Sequence, residues 1–209
     1  TAISFLMEYE RLSFPEAVEE LARQAGVEVP RVGSSGPSRA VLEGPLDALA
    51  FADRVYRAQL REAPQAVEYL KKRGVSGETA KTFGIGYAPE SWDALTRQLP
   101  DPRHAIEAGL LIEKDQGGAY DRFRNRIMFP IRDARGRCIS FGGRALSPEA
   151  RAKYLNGPET ELFDKGRSLF NHGPAREAAG KGADLIAAEG YMDVIALVAA
   201  GFEGAVAPL

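Results

Sequence analysis

Glu189-Gly190-Tyr191-Met192-Asp193 sets two carboxylates close together, between the apolar run Leu185–Ala188 and a stretch over 191–200 that reads as a helix. A carboxylate at the carboxyl end of a parallel strand projects into the crevice where open α/β sheets bind ligands. Glu189 takes that place, and Asp193 returns toward the same crevice from the helix's first turn. Gly190 is expected to let the backbone turn sharply without a Cβ clash. Hard carboxylate oxygens suit Mg²⁺, which keeps several waters and bridges to substrate phosphates. In the plainer reading Asp193 only favours the positive helix N-terminus and Glu189 is merely exposed. Two acids alone do not separate these readings.

A second group of residues is cationic. Asp121-Arg122-Phe123-Arg124-Asn125-Arg126 places three arginines at alternating positions. In an extended chain they share one face, with Phe123 and Asn125 on the other. Three guanidiniums on one face repel unless an anion lies across them, and the arginine fork matches phosphate. Arg144 follows Gly142-Gly143, where small residues allow close backbone approach. Lys153-Tyr154-Leu155-Asn156 adds a cation, an aromatic and an amide, and Lys165-Gly166-Arg167 adds two more cations. Between Arg122 and Arg176 stand twelve Lys/Arg against five Asp/Glu, in a chain of formal net charge −2. Cations interleaved with Tyr154, Phe163 and Phe170 suit a single-stranded nucleic acid tracked by its phosphates with occasional base stacking. The structural alternative is a solvated charged surface, with at least two of those three aromatics in the core.

These groups need a scaffold. The 209 residues have room for one large or two small domains. Residues 4–30 read as two helices, the second opened by the capping box Ser13-Phe14-Pro15-Glu16. Gly33 to Ser38 reads as a linker. Pro45 opens a helix with Leu49, Ala52, Tyr56 and Leu60 on one face; Pro64 opens another that ends at Gly74. Ser76 caps a short helix closed by Gly84, and Ile85 to Tyr87 reads as a brief strand. Ser91 is expected to cap a helix around Trp92 and Leu95, and a short helix over 103–109 follows. Ile127, Phe129 and Ile131 then alternate with Arg126, Met128 and Pro130. A turn over Asp133–Gly136 and a strand from Cys138 to Phe141 complete a β-hairpin. Pro130 points to an edge strand or a bulge, and Gly142-Gly143 is expected to end the second strand. Residues 148–175 read as irregular. Leu185–Ala188, the helix over 191–200 and Gly204–Ala207 make a parallel βαβ unit whose two strands are buried.

Other chemistries are limited by composition. The single Cys138 excludes an internal disulfide and a cysteine-based zinc site, and reads as a small core residue. His104 and His172 have no ligand spacing around them. No apolar run approaches the length of a membrane span. The start, Thr1-Ala2-Ile3-Ser4-Phe5, has neither an initiator Met nor a signal peptide's charged region, and reads as cut from something longer.

Together these blocks resemble the bacterial replicative primase family, the DnaG type, over essentially the whole chain. Tyr120 through Ile131 resembles the family's basic motif. Phe141-Gly142-Gly143-Arg144, Lys153 through Thr160 and Lys165-Gly166-Arg167 resemble its following blocks. Glu189 through Asp193 resembles the first acidic motif of the Toprim fold, and Phe5 through Ala25 resembles the end of a zinc-binding module. Asn125 stands where the family commonly has an acid, and Gly157 where it commonly has serine.

The resemblance implies a mixed α+β chain. Residues 1–30 would be the helical tail of the zinc-binding module and 31–44 a linker. Residues 45–182 would be the N-terminal subdomain of the polymerase core, with a small antiparallel sheet, and 183–209 the start of an incomplete Toprim βαβ unit. It implies synthesis of short RNA primers on single-stranded DNA from ribonucleoside triphosphates with Mg²⁺ or Mn²⁺, in the bacterial cytoplasm. Glu189 would be the metal-associated catalytic carboxylate, with Asp193 supporting it. Arg122, Arg124, Arg126, Arg144, Lys153, Tyr154, Asn156 and Lys165 would line the nucleotide and template path. Zinc ligands, the Asp-x-Asp metal motif and a helicase-binding domain would lie outside this chain. Two alternatives stand beside that reading: a non-catalytic nucleic-acid or nucleotide-binding fragment, and another Toprim enzyme such as a topoisomerase or nuclease.

Overall fold

Pro45 fixes the backbone for a first helical turn that needs no amide from it, and α1 runs Pro45–Arg61. Its apolar stripe Leu49, Ala52, Tyr56 and Leu60 is buried as the spacing requires. This computed structural model describes residues 43–99 and 101–209. All of them belong to one of two compact units, Ala40–Leu209. The helices expected over 4–30 and the linker over 33–38 lie outside the described residues.

Pro64 opens α2, Pro64–Lys72. Ser76 caps α3, Gly77–Phe83, by accepting from the Thr79 amide at 3.0 Å, and Gly84 ends it in the left-handed conformation. Replacing Ser76 with alanine leaves that amide to water. We expect a loss of about 1 kcal/mol in urea unfolding.

The expected hairpin is the centre of a four-stranded antiparallel sheet. Its strands are β1 (Gly86–Ala88), β4 (Arg126–Arg132), β5 (Cys138–Ala145) and β6 (Tyr154–Asn156), in the order β1-β4-β5-β6. The Asp133 carboxylate holds the turn by accepting from the Arg135 and Arg137 amides. Gly142-Gly143 does not end β5: both glycines stay paired, with Phe129 and Met128, and the strand continues to Ala145. Of the two readings of Pro130, the edge strand fails, because β4 is internal, and the bulge holds one step along the strand. β1 reaches only Arg126–Met128, so Pro130 lies past it, beside a register shift at Ile131/Arg132.

The helix expected after Ser91 is replaced by one 3-10 turn, Thr96–Gln98. Ser91 bonds locally to Asp93 instead. The buried Asp121 carboxylate caps this turn from a distance, accepting from the Leu95 amide at 2.7 Å, the Thr96 amide at 3.0 Å and the Thr96 hydroxyl at 2.6 Å. Helix α4 (Arg103–Glu107) then leads into a second hairpin, β2 (Leu111–Glu113) and β3 (Ala119–Asp121).

The stretch over 148–175 is more regular than expected. It contains β6, a 3-10 turn Lys165–Arg167, β7 (Leu169–Phe170) and the start of α5 (His172–Gly180). The βαβ unit is present as β8 (Ile186–Ala187), α6 (Tyr191–Ala199) and β9 (Ala205–Pro208), with β8 and β9 parallel. β7 pairs antiparallel on the other side of β9. β8 is an outer strand of that sheet, opposite β7, and is less buried than expected, with Leu185 beside it 66% exposed.

Strand alternation gives the central sheet two faces. Met128 and Phe141 face α1, where Tyr56 meets Phe141 edge-on at 5.3 Å. Ile127, Phe129 and Ile131 face the other way, into a cluster with Phe170, Tyr191, Val194 and Ile195. The βαβ unit is thus seated on the sheet through α6 and β7.

Candidate functional site

Glu189 follows β8 and is exposed, and Asp193 is exposed in the first turn of α6. The turn between them does not require glycine. Gly190 is extended, at φ −156°, and a Cβ there would meet only an Asp193 carboxylate oxygen, at an ordinary 3.6 Å. Two exposed hard carboxylates are the kind of donor set Mg²⁺ takes when waters and phosphates complete its shell. Among the described residues no three His, Cys, Asp or Glu side chains gather into a metal cage.

Between the two acids, Tyr191 is buried. Its ring stacks on Phe129 with centroids 5.0 Å apart and planes 2° apart, and meets Phe170 edge-on at 4.8 Å. Its hydroxyl donates to Asn156 Oδ1 at 2.7 Å. Gly142 makes this seat possible, since a Cβ there would lie 2.3 Å from the Tyr191 hydroxyl. Burial, with a smaller effect from Tyr154, pushes the hydroxyl well above the ordinary tyrosine range, so it stays a donor.

Arg144, Tyr154 and Asn156 share that face. Arg144 pairs across the strands with Tyr154, and Gly142 with Asn156. Arg144 is buried and donates to the Tyr154 hydroxyl at 2.6 Å. Its guanidinium sits 5.2 Å from the ring centres of both Tyr69 and Tyr154. Its Nε and the Tyr69 hydroxyl are buried without a partner.

The three arginines of the basic motif do not form a row on one extended face. β3 ends at Asp121, Asn125 takes φ 49°, and β4 begins only at Arg126. Asparagine tolerates that left-handed conformation better than most residues. Arg122 donates to the Gly109 carbonyl at 2.7 Å. Arg124 donates to the Asp121 carbonyl and lies over the Trp92 ring, 3.9 Å from its centre. Arg126 donates to the Gly143 and Ala152 carbonyls at 3.2 and 3.0 Å. Burial lowers the pKa of Arg122 and Arg126, and the Arg124 charge adds to the effect on Arg126. Arg124 and Arg126 meet at a hollow of about 260 Å³ that Glu90, Trp92 and Ser147 also line.

The expected site residues therefore fall into two groups on opposite sides of the sheet. Arg144, Tyr154 and Asn156 lie with Tyr191 between the acids, whereas Arg126 and Arg124 lie by Trp92. Lys153 is exposed and Lys165 half-buried, at the start of its 3-10 turn. Arg122, Arg124, Arg126 and Arg144 make no ion pair with a carboxylate among the described residues. Arg57, Arg97, Arg103, Arg132, Arg137 and Arg167 do.

Of the three aromatics, Phe163 and Phe170 are core and Tyr154 is 38% exposed. Trp92, the chain's only tryptophan, is 63% exposed and lies outside the residues that spacing and charge nominate for a site. Its one sequence signal is a polar setting, Glu90-Ser91-Trp92-Asp93, which argues against a buried helix face. Cys138 is a free, buried core residue, as expected.

The family described as "DNA primase catalytic core, N-terminal domain" matches residues 55–176. A DNA primase of Pseudomonas putida is 48% identical over 100% of this chain and 33% of its own length. The chain therefore spans about a third of that curated relative. The structure of a DnaG primase catalytic domain bound to single-stranded DNA is similar, with TM-score 0.72 and 43% identity over 79% of this chain and 55% of that one. The zinc-binding and RNA polymerase domains of the Aquifex aeolicus primase match with TM-score 0.73 and 34% identity. That match covers 100% of this chain and 51% of that one.

Proposed function

Because the chain belongs to the DnaG-type DNA primase family, in its catalytic core, we propose that the complete protein copies single-stranded DNA into short RNA primers. The reaction joins ribonucleoside triphosphates by nucleotidyl transfer. One observation carries the reading. Tyr191, between the two acids in sequence, packs on the sheet face that holds Arg144, Tyr154 and Asn156, which brings the acids' segment to the side of the sheet that carries these groups.

Phosphoryl transfer asks mainly for positioning and charge neutralisation. Glu189, at the end of a strand and free of structural bonds among the described residues, faces the reacting phosphate and accepts the proton of the primer 3′-hydroxyl. Asp193 supports it. Mg²⁺ or Mn²⁺ bound at Glu189 would draw charge from the phosphate oxygens. Arg144, Lys153 and Lys165 take nucleotide and primer phosphates, and Tyr154 offers a face to a base. On the other side of the sheet, Arg124 and Arg126 track template phosphates, with Trp92 as the stacking surface, and Arg122, held on the Gly109 carbonyl, is proposed for the same path. Zinc is proposed for a separate module of the complete protein. The replicative helicase is proposed as its partner and the bacterial cytoplasm as its compartment. No helix among the described residues is long and apolar enough to cross a membrane.

The test is direct. The complete protein, given single-stranded template, ribonucleotides and Mg²⁺, should release short RNA, and no product under any template would sink the reading. The chain on its own should bind single-stranded DNA without synthesis. Charge reversal at Arg124 should weaken that binding and reduce the slope of log affinity against log salt by about one. Unchanged affinity and slope would remove Arg124 from the template track.

A further inference from the structure

We propose that Asn156 and Tyr191 are a pair of positioning residues: their hydrogen bond sets the rotation of the α6 N-terminus, and with it the aim of Glu189 and Asp193. The proposal rests on the reading above and replaces the nucleotide-path role that the resemblance implies for Asn156. Asn156 acts on the reaction through Tyr191, not by touching a nucleotide.

The geometry carries this. Tyr191 is the first residue of α6, two positions after Glu189 and two before Asp193. A shift of Tyr191 moves the chain on both sides of it, with Glu189 just before the helix cap and Asp193 in the first turn. The ring is confined by Phe129 beneath, Phe170 at its edge and Tyr154 at 6.2 Å. Stacking alone fixes the plane of the ring but allows it to slide. The hydroxyl removes that freedom, because Asn156 Oδ1 meets it at 2.7 Å from a neighbouring strand. Asn156 is itself held in β6, opposite Gly142. The acceptor and the space for the ring thus come from the same cross-strand pair.

The body of α6 is secured separately by Val194 and Ile195, both buried. The hydroxyl bond is therefore not needed to dock the helix. It ties the helix's first turn to β6, whose Tyr154 pairs across the strands with Arg144 of β5.

A double-mutant cycle in the complete protein tests this. Tyr191→Phe keeps the stacked ring and loses the bond; Asn156→Ala keeps the ring and loses the acceptor. Each should lower the kcat of primer synthesis by about three- to tenfold, the equivalent of one net hydrogen bond. Mn²⁺ affinity, read by electron paramagnetic resonance without turnover, should weaken by a similar factor. The KM for ribonucleotides and the Kd for single-stranded DNA should stay unchanged. The double variant should be no worse than either single one. Additive losses would overturn the pairing. A raised ribonucleotide KM in Asn156→Ala that persists in the Tyr191→Phe background would make Asn156 a direct nucleotide contact and overturn it too. So would unfolding of Tyr191→Phe, which would make the hydroxyl a structural group. An inactive wild-type protein would instead defeat the functional reading on which the pair rests.

Discussion

Glu189→Gln in the complete protein should lower primer synthesis by on the order of a thousandfold, while single-stranded DNA affinity stays within about twofold. Glutamine has nearly the same shape, and Glu189 is exposed with no hydrogen bond or ion pair among the described residues. The substitution therefore removes a charge and a proton acceptor and leaves the fold unstrained. The cationic groups proposed to hold the template, around Arg124 and Arg126, lie on the other side of the sheet. Template binding and chemistry should consequently separate. Gel-based primer assays beside fluorescence-anisotropy binding would measure both, and equal losses would show Glu189 to be structural.

Phe129→Ala should cost about 3–5 kcal/mol of stability, on the order of 10 °C in Tm. Phe129 is fully buried in the middle of β4. Its ring meets Tyr191 and Phe170, at 5.0 and 6.4 Å. Truncation opens a cavity between the sheet and the βαβ unit that rigid strands cannot close. Thermal unfolding followed by circular dichroism measures it. A change below about 1 kcal/mol would mean that α6 and β7 are held to the sheet by other contacts.

Much of this scaffold was legible where the signal was local. Proline at the start of α1 and α2, Ser76 and Gly84 around α3, and alternation across Ile127–Ile131 all act within a few residues. The βαβ unit was readable for the same reason, although the exposure of Leu185 was not: burial depends on what covers a strand. The failures were non-local. The Trp92 segment reads as helical until Asp121, some twenty-five residues later, captures its amides. Gly142-Gly143 reads as a strand breaker until Tyr191 needs the space above it. The three arginines read as one row until the left-handed Asn125 redirects the chain. Spacing and charge were enough to nominate residue types for a site. Their division between two sides of the sheet, and the contact between Asn156 and Tyr191, required the fold.

The way the arginines are held has an entropic consequence. Arg122, Arg124 and Arg126 are fastened to neutral backbone carbonyls, and Arg144 to a phenol. A free arginine loses rotamer freedom worth about 2 kcal/mol when a ligand immobilises it. Here folding has already removed most of that freedom, without cancelling the charge. A phosphate chain would meet cations that are ordered but unneutralised, so association should show a small unfavourable side-chain entropy and a large contribution from released counterions.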